Sequence, residues 1–382
     1  MPRAATYDLS RYDWILLGAT VLLVVFGLSA LYSTSLAGAV TTAQLAGAAQ
    51  TVQPDFGNFW KQFWFAIVGV LLALVLPALD YRTFMRLAKF LFVLAVALLV
   101  AVLLFGTTVR GTKGWFGIAG FGIQPVELVK LLFIFFLAKY FSDYAGKTKG
   151  VRHVFVSGAA VAVLFALVML QPDFGSAFLL LVVWGVLVLV SGIRKSHLAI
   201  MAVALAAVAV LAWLFVLKPY QKDRVTAFLD PDSDPLGRGY NVTQSVIAIG
   251  SGGWTGQGMG YGSQSQLRFL PERQTDFIFA VIAEELGFLG VLFLCGLFVV
   301  VFWRGYRLVR TARDDFTLYL ALGITVSLAL EVFVNLGGNL RLMPVTGITL
   351  PFVSYGGSSL VVKFLMIGVL QSIAMRNQSE GM

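Results

Sequence analysis

The residues best placed for chemistry form two groups. The first is the run Gln264-Ser265-Gln266-Leu267-Arg268-Phe269-Leu270-Pro271-Glu272-Arg273-Gln274-Thr275-Asp276-Phe277, which sets two Arg, a Glu and an Asp at the mouth of an apolar segment. Asp276 is its last polar residue, and a carboxylate half out of water beside two guanidinium groups suits general-base work. The same position suits a helix N-cap, and spacing alone leaves both roles open. The second group is Glu127, Lys130, Glu331 and Lys363, which lie inside long apolar segments where ionisable side chains are expensive and point to function. Glu127 and Lys130, three apart in Gln124-Pro125-Val126-Glu127-Leu128-Val129-Lys130, share one helix face. As an internal ion pair they suit helix packing or a substrate role equally. Glu331 and Lys363 fall one to two turns from the same end of adjacent segments and are placed to pair. Exchanging these two charges should then restore what either single substitution loses.

Other polar runs are less specific. Arg110-Gly111-Thr112-Lys113-Gly114-Trp115 suits an anionic head group, or a solvated turn with an anchoring Trp. Asp173 in Gln171-Pro172-Asp173-Phe174-Gly175 suits the cap of the helix that follows. Asp223-Arg224-Val225 and Asp230-Pro231-Asp232-Ser233-Asp234-Pro235 lack the spacing of an EF-hand, and the second reads as turns. Gly250–Gly262 holds seven glycines without a Walker Lys, so it reads as a close-packed or mobile loop rather than a nucleotide site.

These residues must be positioned by membrane-spanning helices. Of the 382 residues 59% are hydrophobic and 12% charged, with a mean hydropathy of +0.86, against roughly 45–50% and about 25% in soluble domains. One Cys and two His exclude a disulfide framework, a thiolate cluster and an all-histidine metal site. A net charge of +9 on so apolar a chain points to a membrane surface and to no nucleic acid. Hydrocarbon about 30 Å thick needs about 20 helical residues. Ten spans meet that need: Trp14–Tyr32, Phe63–Leu79, Leu87–Thr107, Val126–Phe141, Val154–Leu170, Ser176–Val190, His197–Leu217, Phe277–Trp303, Phe316–Leu336 and Ser358–Ala374. The first has no small-residue cleavage site and reads as a retained helix.

With both termini cytoplasmic, sixteen Lys and Arg face inward and four outward, six more lying in the long loop Lys218–Asp276, where the rule has little force. The expected fold is thus an all-α polytopic membrane protein, a single domain over 1–382, with one long extracytoplasmic loop over 218–276. The two halves share no motif that would support an inverted-repeat transporter.

Taken in order, these motifs resemble the SEDS family (shape, elongation, division and sporulation), the RodA/FtsW-type membrane glycosyltransferases of bacterial cell-wall synthesis. The resemblance spans nearly the whole chain. It runs through Gly122–Lys130, Gln171–Gly175, Phe228–Pro231 with Gly239-Tyr240-Asn241, Gln244–Gly253, the block ending at Ala280, and Leu350–Ser359. Gln264–Leu267 and Ala283-Glu284-Glu285 look more like RodA (elongation) than FtsW (division). Where relatives often show His-Thr-Asp this chain has Gln274-Thr275-Asp276, and Asn335-Leu336-Gly337-Gly338-Asn339-Leu340-Arg341 is also unusual. The insertion Thr41–Phe56 carries no assignable chemistry.

The resemblance implies a multi-pass enzyme of the bacterial cytoplasmic (inner) membrane that polymerises lipid II on the outer side. The GlcNAc 4-hydroxyl of an acceptor attacks the anomeric carbon of a polyprenyl-diphosphate-linked MurNAc, with inversion, in cell-wall elongation and shape control. Asp276 matches the family's essential loop Asp and is the expected base. Arg110, Lys113, Arg224, Arg268 and Arg273 are candidates for the diphosphate, and Glu127 and Lys130 match a family pair in the central cavity. The chemistry admits a divalent cation (Mg or Mn), for which the sequence shows no ligand spacing. The implied partners are lipid II, membrane lipids and a class B penicillin-binding protein acting as transpeptidase. The alternatives are a lipid II flippase without covalent chemistry and the division-type polymerase.

Overall fold

The computed structural model describes residues 11–45, 54–109, 111–118, 121–144, 151–192 and 238–379, with positions 199, 214, 222 and 228. A helix satisfies all its backbone groups internally, which is what hydrocarbon demands of a spanning segment. Nine of the ten expected spans are helices: α1 (Trp14–Leu45), α2 (Gly57–Val75), α4 (Ala88–Phe105), α5 (Pro125–Tyr144), α6 (Val151–Leu170), α7 (Phe174–Val190), α10 (Ile278–Arg310), α11 (Asp315–Asn339) and α12 (Gly357–Ser379). Seven of these are long and apolar enough to cross a membrane. The other two are the 17-residue α7 and α5, which carries Glu127, Lys130 and Lys139 in its apolar run. The expected span His197–Leu217 (apart from positions 199 and 214), Arg110, Arg224, Asp230–Pro235 and residues 46–53 of the insertion lie outside the described residues.

Three features depart from expectation. First, α1 continues to Leu45, into the stretch read as an outer insertion. Second, the stretch read as a basic turn is an antiparallel three-stranded sheet, β1 (Thr107–Val109), β2 (Thr112–Ile118) and β3 (Phe121–Ile123), with Val109 opposite Thr112 and Gly117 opposite Gly122. The β-branched Thr107-Thr108-Val109 favours a strand, and Gly111, at φ +82°, permits the tight return. Third, the long loop contains helices α8 (Arg238–Ser251) and α9 (Ser263–Gln266); a short helix α3 (Tyr81–Arg86) follows α2, capped by Asp80.

Helix α5 occupies the centre of the bundle, burying Phe133, Ile134, Leu137 and Ala138, and it packs against α4, α7, α11 and α12. Helix α12 lies between α5 and α2, and α1 packs on α10. Helix α10 is kinked at Gly287, whose φ of +64° no other residue adopts without strain. The kink frees backbone groups that the Gly250–Gly262 run takes up. Phe288 N donates to Gly253 O (2.9 Å) and Leu289 N to Trp254 O (3.1 Å), while Gln257 N and Gly258 N donate to Glu284 O and Glu285 O at 3.0 Å each. Of the two readings of that run, close packing is the one observed.

A Cβ at Gly287 would also overlap the Gly256 backbone, whereas Gly296 in the same helix has open space around it. Gly287→Ala should therefore lose at least about 1–3 kcal/mol, read as a fall in apparent Tm in detergent. Gly296→Ala should leave Tm unchanged or raise it by the equivalent of up to about 1 kcal/mol.

Candidate active site

Two of the buried ion pairs expected from sequence are one structure. Lys130 Nζ donates to Glu127 Oε1 (2.9 Å) and to Glu331 Oε1 (2.6 Å). Lys363 Nζ donates to Glu127 Oε2 (2.7 Å) and sits 2.7 Å from both Glu331 oxygens. Charges therefore alternate around a closed ring contributed by α5, α11 and α12, with every side chain at most 9% exposed and no net charge. Each carboxylate meets two ammonium groups and each ammonium two carboxylates, the condition under which desolvated charges are tolerated.

The ring lies beside a cleft without lining it. It sits one turn further along α5 and α12 from Gln124 and Ser359, which do line that cleft. The cleft has a volume of about 860 Å³. Its walls come from α1 (Thr34), the start of α2 (Asn58, Lys61), the sheet (Thr112, Trp115), the α6–α7 turn (Asp173), the 268–276 segment and the stretch from Thr346 to Ser359. Asp276, Arg268 and Arg273 line it together, as sequence expects; Lys113, on β2 opposite Thr108, does not. Lys61 is a cleft cation that escapes notice in the sequence. Its signal was its place at the start of an apolar span between Trp60 and Trp64.

The backbone that carries Asp276 is fixed at three consecutive carbonyls. Gln274 O accepts from Tyr355 N (2.8 Å) and Thr275 O from Ser354 Oγ (2.6 Å). Asp276 O accepts from both Asn335 Nδ2 (3.0 Å) and Asn339 Nδ2 (2.9 Å) on α11. The Gln274 side chain accepts from Asn58 Nδ2 (2.7 Å) and donates to Thr34 Oγ1 (3.2 Å). The N-cap of α10 is Phe277, one residue later than the expected cap, and no side chain bonds there. Asp276 is therefore not the cap of this helix, and its carboxylate borders the cleft, near Gly347.

The other acids and bases divide between structure and cleft. Asp173 caps α7 as expected, accepting from Ser176 N (3.0 Å) and Ser176 Oγ (2.7 Å), and also faces the cleft. Burial pushes its carboxyl above the usual range despite those hydrogen bonds, which lower it. Arg273 donates to the carbonyls of Ser265 and Thr34 (3.1 Å for the latter), tying α9 to α1. Burial, with Arg268 nearby, brings its guanidinium down to about 10. Glu284 accepts from Gln264 N (2.7 Å) and Ser265 N (3.0 Å) at the start of α9, and Glu285 Oε1 from Gln266 Nε2 (3.1 Å). The runs Gln264–Leu267 and Ala283-Glu284-Glu285 are thus one bonded unit. Among the described residues no three His, Cys, Asp or Glu gather as metal ligands.

A polytopic helical bundle with a polar cleft at the helix ends defines the class, and sequence comparison defines the family. Residues 13–379 match the FtsW/RodA/SpoVE family, described as cell cycle protein. Stage V sporulation protein E of Bacillus subtilis is 37% identical over 365 residues, covering 95% of this chain and 96% of that one. Peptidoglycan glycosyltransferase MrdB of Escherichia coli K12 is 36% identical over 323 residues, 84% of this chain and 86% of that one. A chain from a solved peptidoglycan synthase complex that coordinates polymerization and crosslinking superposes with a TM-score of 0.77 at 33% identity, covering 96% of this chain and 98% of that one. The protein belongs to the FtsW/RodA/SpoVE family of polytopic membrane proteins.

Closure of the ring overturns the expectation that exchanging Glu331 and Lys363 restores stability. After the exchange, position 331 would hold an ammonium facing Lys130, and position 363 a carboxylate facing Glu127. Glu331→Gln should cost about 3–5 kcal/mol, as removal of one partner from a buried pair does, and E331K/K363E should be no better. Reversing all four charges (E127K/K130E/E331K/K363E) keeps the alternation and should recover part of the loss, read as folded yield and apparent Tm in detergent.

Proposed function

We propose that this chain is a peptidoglycan glycosyltransferase that polymerises lipid II at the cleft, with Asp276 as general base. The observation that carries the reading is a carboxylate on a rigid backbone bordering a large polar cleft that also holds the cations Lys61, Arg268 and Arg273. The acceptor's 4-hydroxyl gives its proton to Asp276 as its oxygen attacks the anomeric carbon of the donor MurNAc. The bond from that carbon to the diphosphate oxygen breaks, inverting the centre, and the polyprenyl diphosphate leaves with the electron pair. Fixed cations beside the departing oxygens stabilise charge that grows in the transition state. Lys61 and Arg268 are the better candidates for that task, because two of the Arg273 donors already serve main-chain carbonyls. Magnesium-type ions are held by one or two carboxylates together with substrate phosphates, so a divalent cation accompanying the diphosphate would be met by carboxylates among Asp55, Asp173, Glu272 and Asp276, which line the cleft.

The cleft lies at the ends of the helices that the Lys and Arg distribution turns outward, which supports chemistry on the outer face of the cytoplasmic membrane and cytoplasmic termini. The similarity to a chain in a synthase complex supports a class B penicillin-binding protein as the partner that cross-links the product. Assignment to elongation rather than division rests on the α9 motif bonded to Glu284 and Glu285.

The test is polymerisation of labelled lipid II by the purified protein with its cognate penicillin-binding protein. Asp276→Ala should lower the rate by about 10²–10⁴-fold, as loss of a positioned base does, with Tm preserved. Glycan ladders at near-normal rate from the variant would remove Asp276 from the chemistry. No ladders from folded, partnered wild type would favour transport.

A further inference from the structure

The unusual run Asn335–Arg341 has a place in the site that its sequence does not disclose. Asn335 and Asn339 are one helical turn apart on α11, both buried, and both aim a carboxamide N–H at the main-chain oxygen of Asp276. That oxygen lies before the first turn of α10, where the bond from Val281 N to Phe277 O begins one residue later. The two carboxamides therefore stand in for the amide donors that a helix would supply.

The donors are fully committed. Asn335 Nδ2 also donates to Ile348 O (2.8 Å), in the stretch opposite Asp276 across the cleft wall, and Asn339 Nδ2 also donates to Asn335 O (2.9 Å). Ser245 Oγ, fully buried on α8, donates to Asn339 O (3.0 Å), so a helix of the long loop rests on the same residue. A carboxamide with every hydrogen bonded has one orientation, and groups locked in this way hold a reacting side chain to sub-ångström precision.

We propose that Asn335 and Asn339 are positioning residues, a two-carboxamide clamp that fixes the backbone of Asp276 and so aims its carboxylate at the acceptor hydroxyl. The proposal rests on Asp276 being the base. A misplacement of about 1 Å costs on the order of 10²-fold in rate, so the clamp acts on turnover and leaves affinity for lipid II, which is held elsewhere in the cleft, unchanged.

Asn339→Leu removes the donors while keeping the branching and number of side-chain heavy atoms, and the remaining Asn335 bond keeps the Asp276 oxygen partnered; apparent Tm in detergent verifies that the variant is folded. Asn335→Leu is its counterpart. Each is assayed in the full chain with its penicillin-binding protein, using labelled lipid II, alone and combined with Asp276→Ala. The expected result is a kcat about 10–10²-fold lower and KM within about twofold of wild type, with any fall in Tm the same whether or not the Asp276 carboxylate is present. In the Asp276→Ala background the same substitution should cost nothing further, because the group it aims is gone. A normal kcat in both Asn variants, or a raised KM with kcat unchanged, would overturn the clamp. So would an equal loss with and without the Asp276 carboxylate. Near-normal turnover by Asp276→Ala alone would instead overturn the assignment of the base.

Discussion

Four charges without water hold the centre of this protein in register. In hydrocarbon, or in a bundle surrounded by it, an unpaired carboxylate or ammonium is intolerable, so Glu127, Lys130, Glu331 and Lys363 can be present only as a closed set. That requirement fixes how α5, α11 and α12 face one another. The ends of the same three helices build the site: Gln124, just before α5, and Ser358 and Ser359, which begin α12, line the cleft, while Asn335 and Asn339 close α11 and hold the Asp276 main chain behind it. Rotation of any of the three about its axis would break the ring and displace the cleft wall together. The ring's contribution to the site is therefore geometric, although none of its members lines the cleft.

Around that frame the site is held by hydrogen bonds to main chain. The Gln274–Asp276 segment meets Tyr355, Ser354, Asn335 and Asn339 in order, so loop residues that carry chemistry are as constrained as residues inside a helix. Glycines serve the same end by close approach. The Gly287 kink and the Gly252–Gly258 backbone bond to each other, which ties the long loop to α10 just beyond Glu284 and Glu285. Those two carboxylates in turn hold α9.

The spanning helices were legible because hydrocarbon selects for unbroken apolar runs, and nine of the ten fall on helices of the structure. The capping role of Asp173 and the two buried ion pairs were legible from helical spacing and depth. Closure of those pairs into a ring was not, because a linear sequence does not say which helix faces which. The sheet at Thr107–Ile123 was hidden by strands of three to seven residues and many glycines, too short for a period to show. Helices α8 and α9 were hidden because a polar loop carries no apolar run. Asp276 was legible as a candidate, yet its alternative as a cap was settled only by Phe277 holding that position. Asn335 and Asn339 stood out as unusual without a role, since their partner is a carbonyl, which leaves no trace in side-chain chemistry.

The most direct measurement is an experimental structure of the protein with its penicillin-binding protein and a non-hydrolysable lipid II analogue. The diphosphate should lie in the cleft beside Lys61 and Arg268, and the acceptor 4-hydroxyl should lie about 2.6–3.2 Å from the Asp276 carboxylate. A diphosphate bound elsewhere, or an acceptor hydroxyl out of reach of Asp276 in a complex with both sugars ordered, would contradict the assignment of this cleft as the polymerisation site.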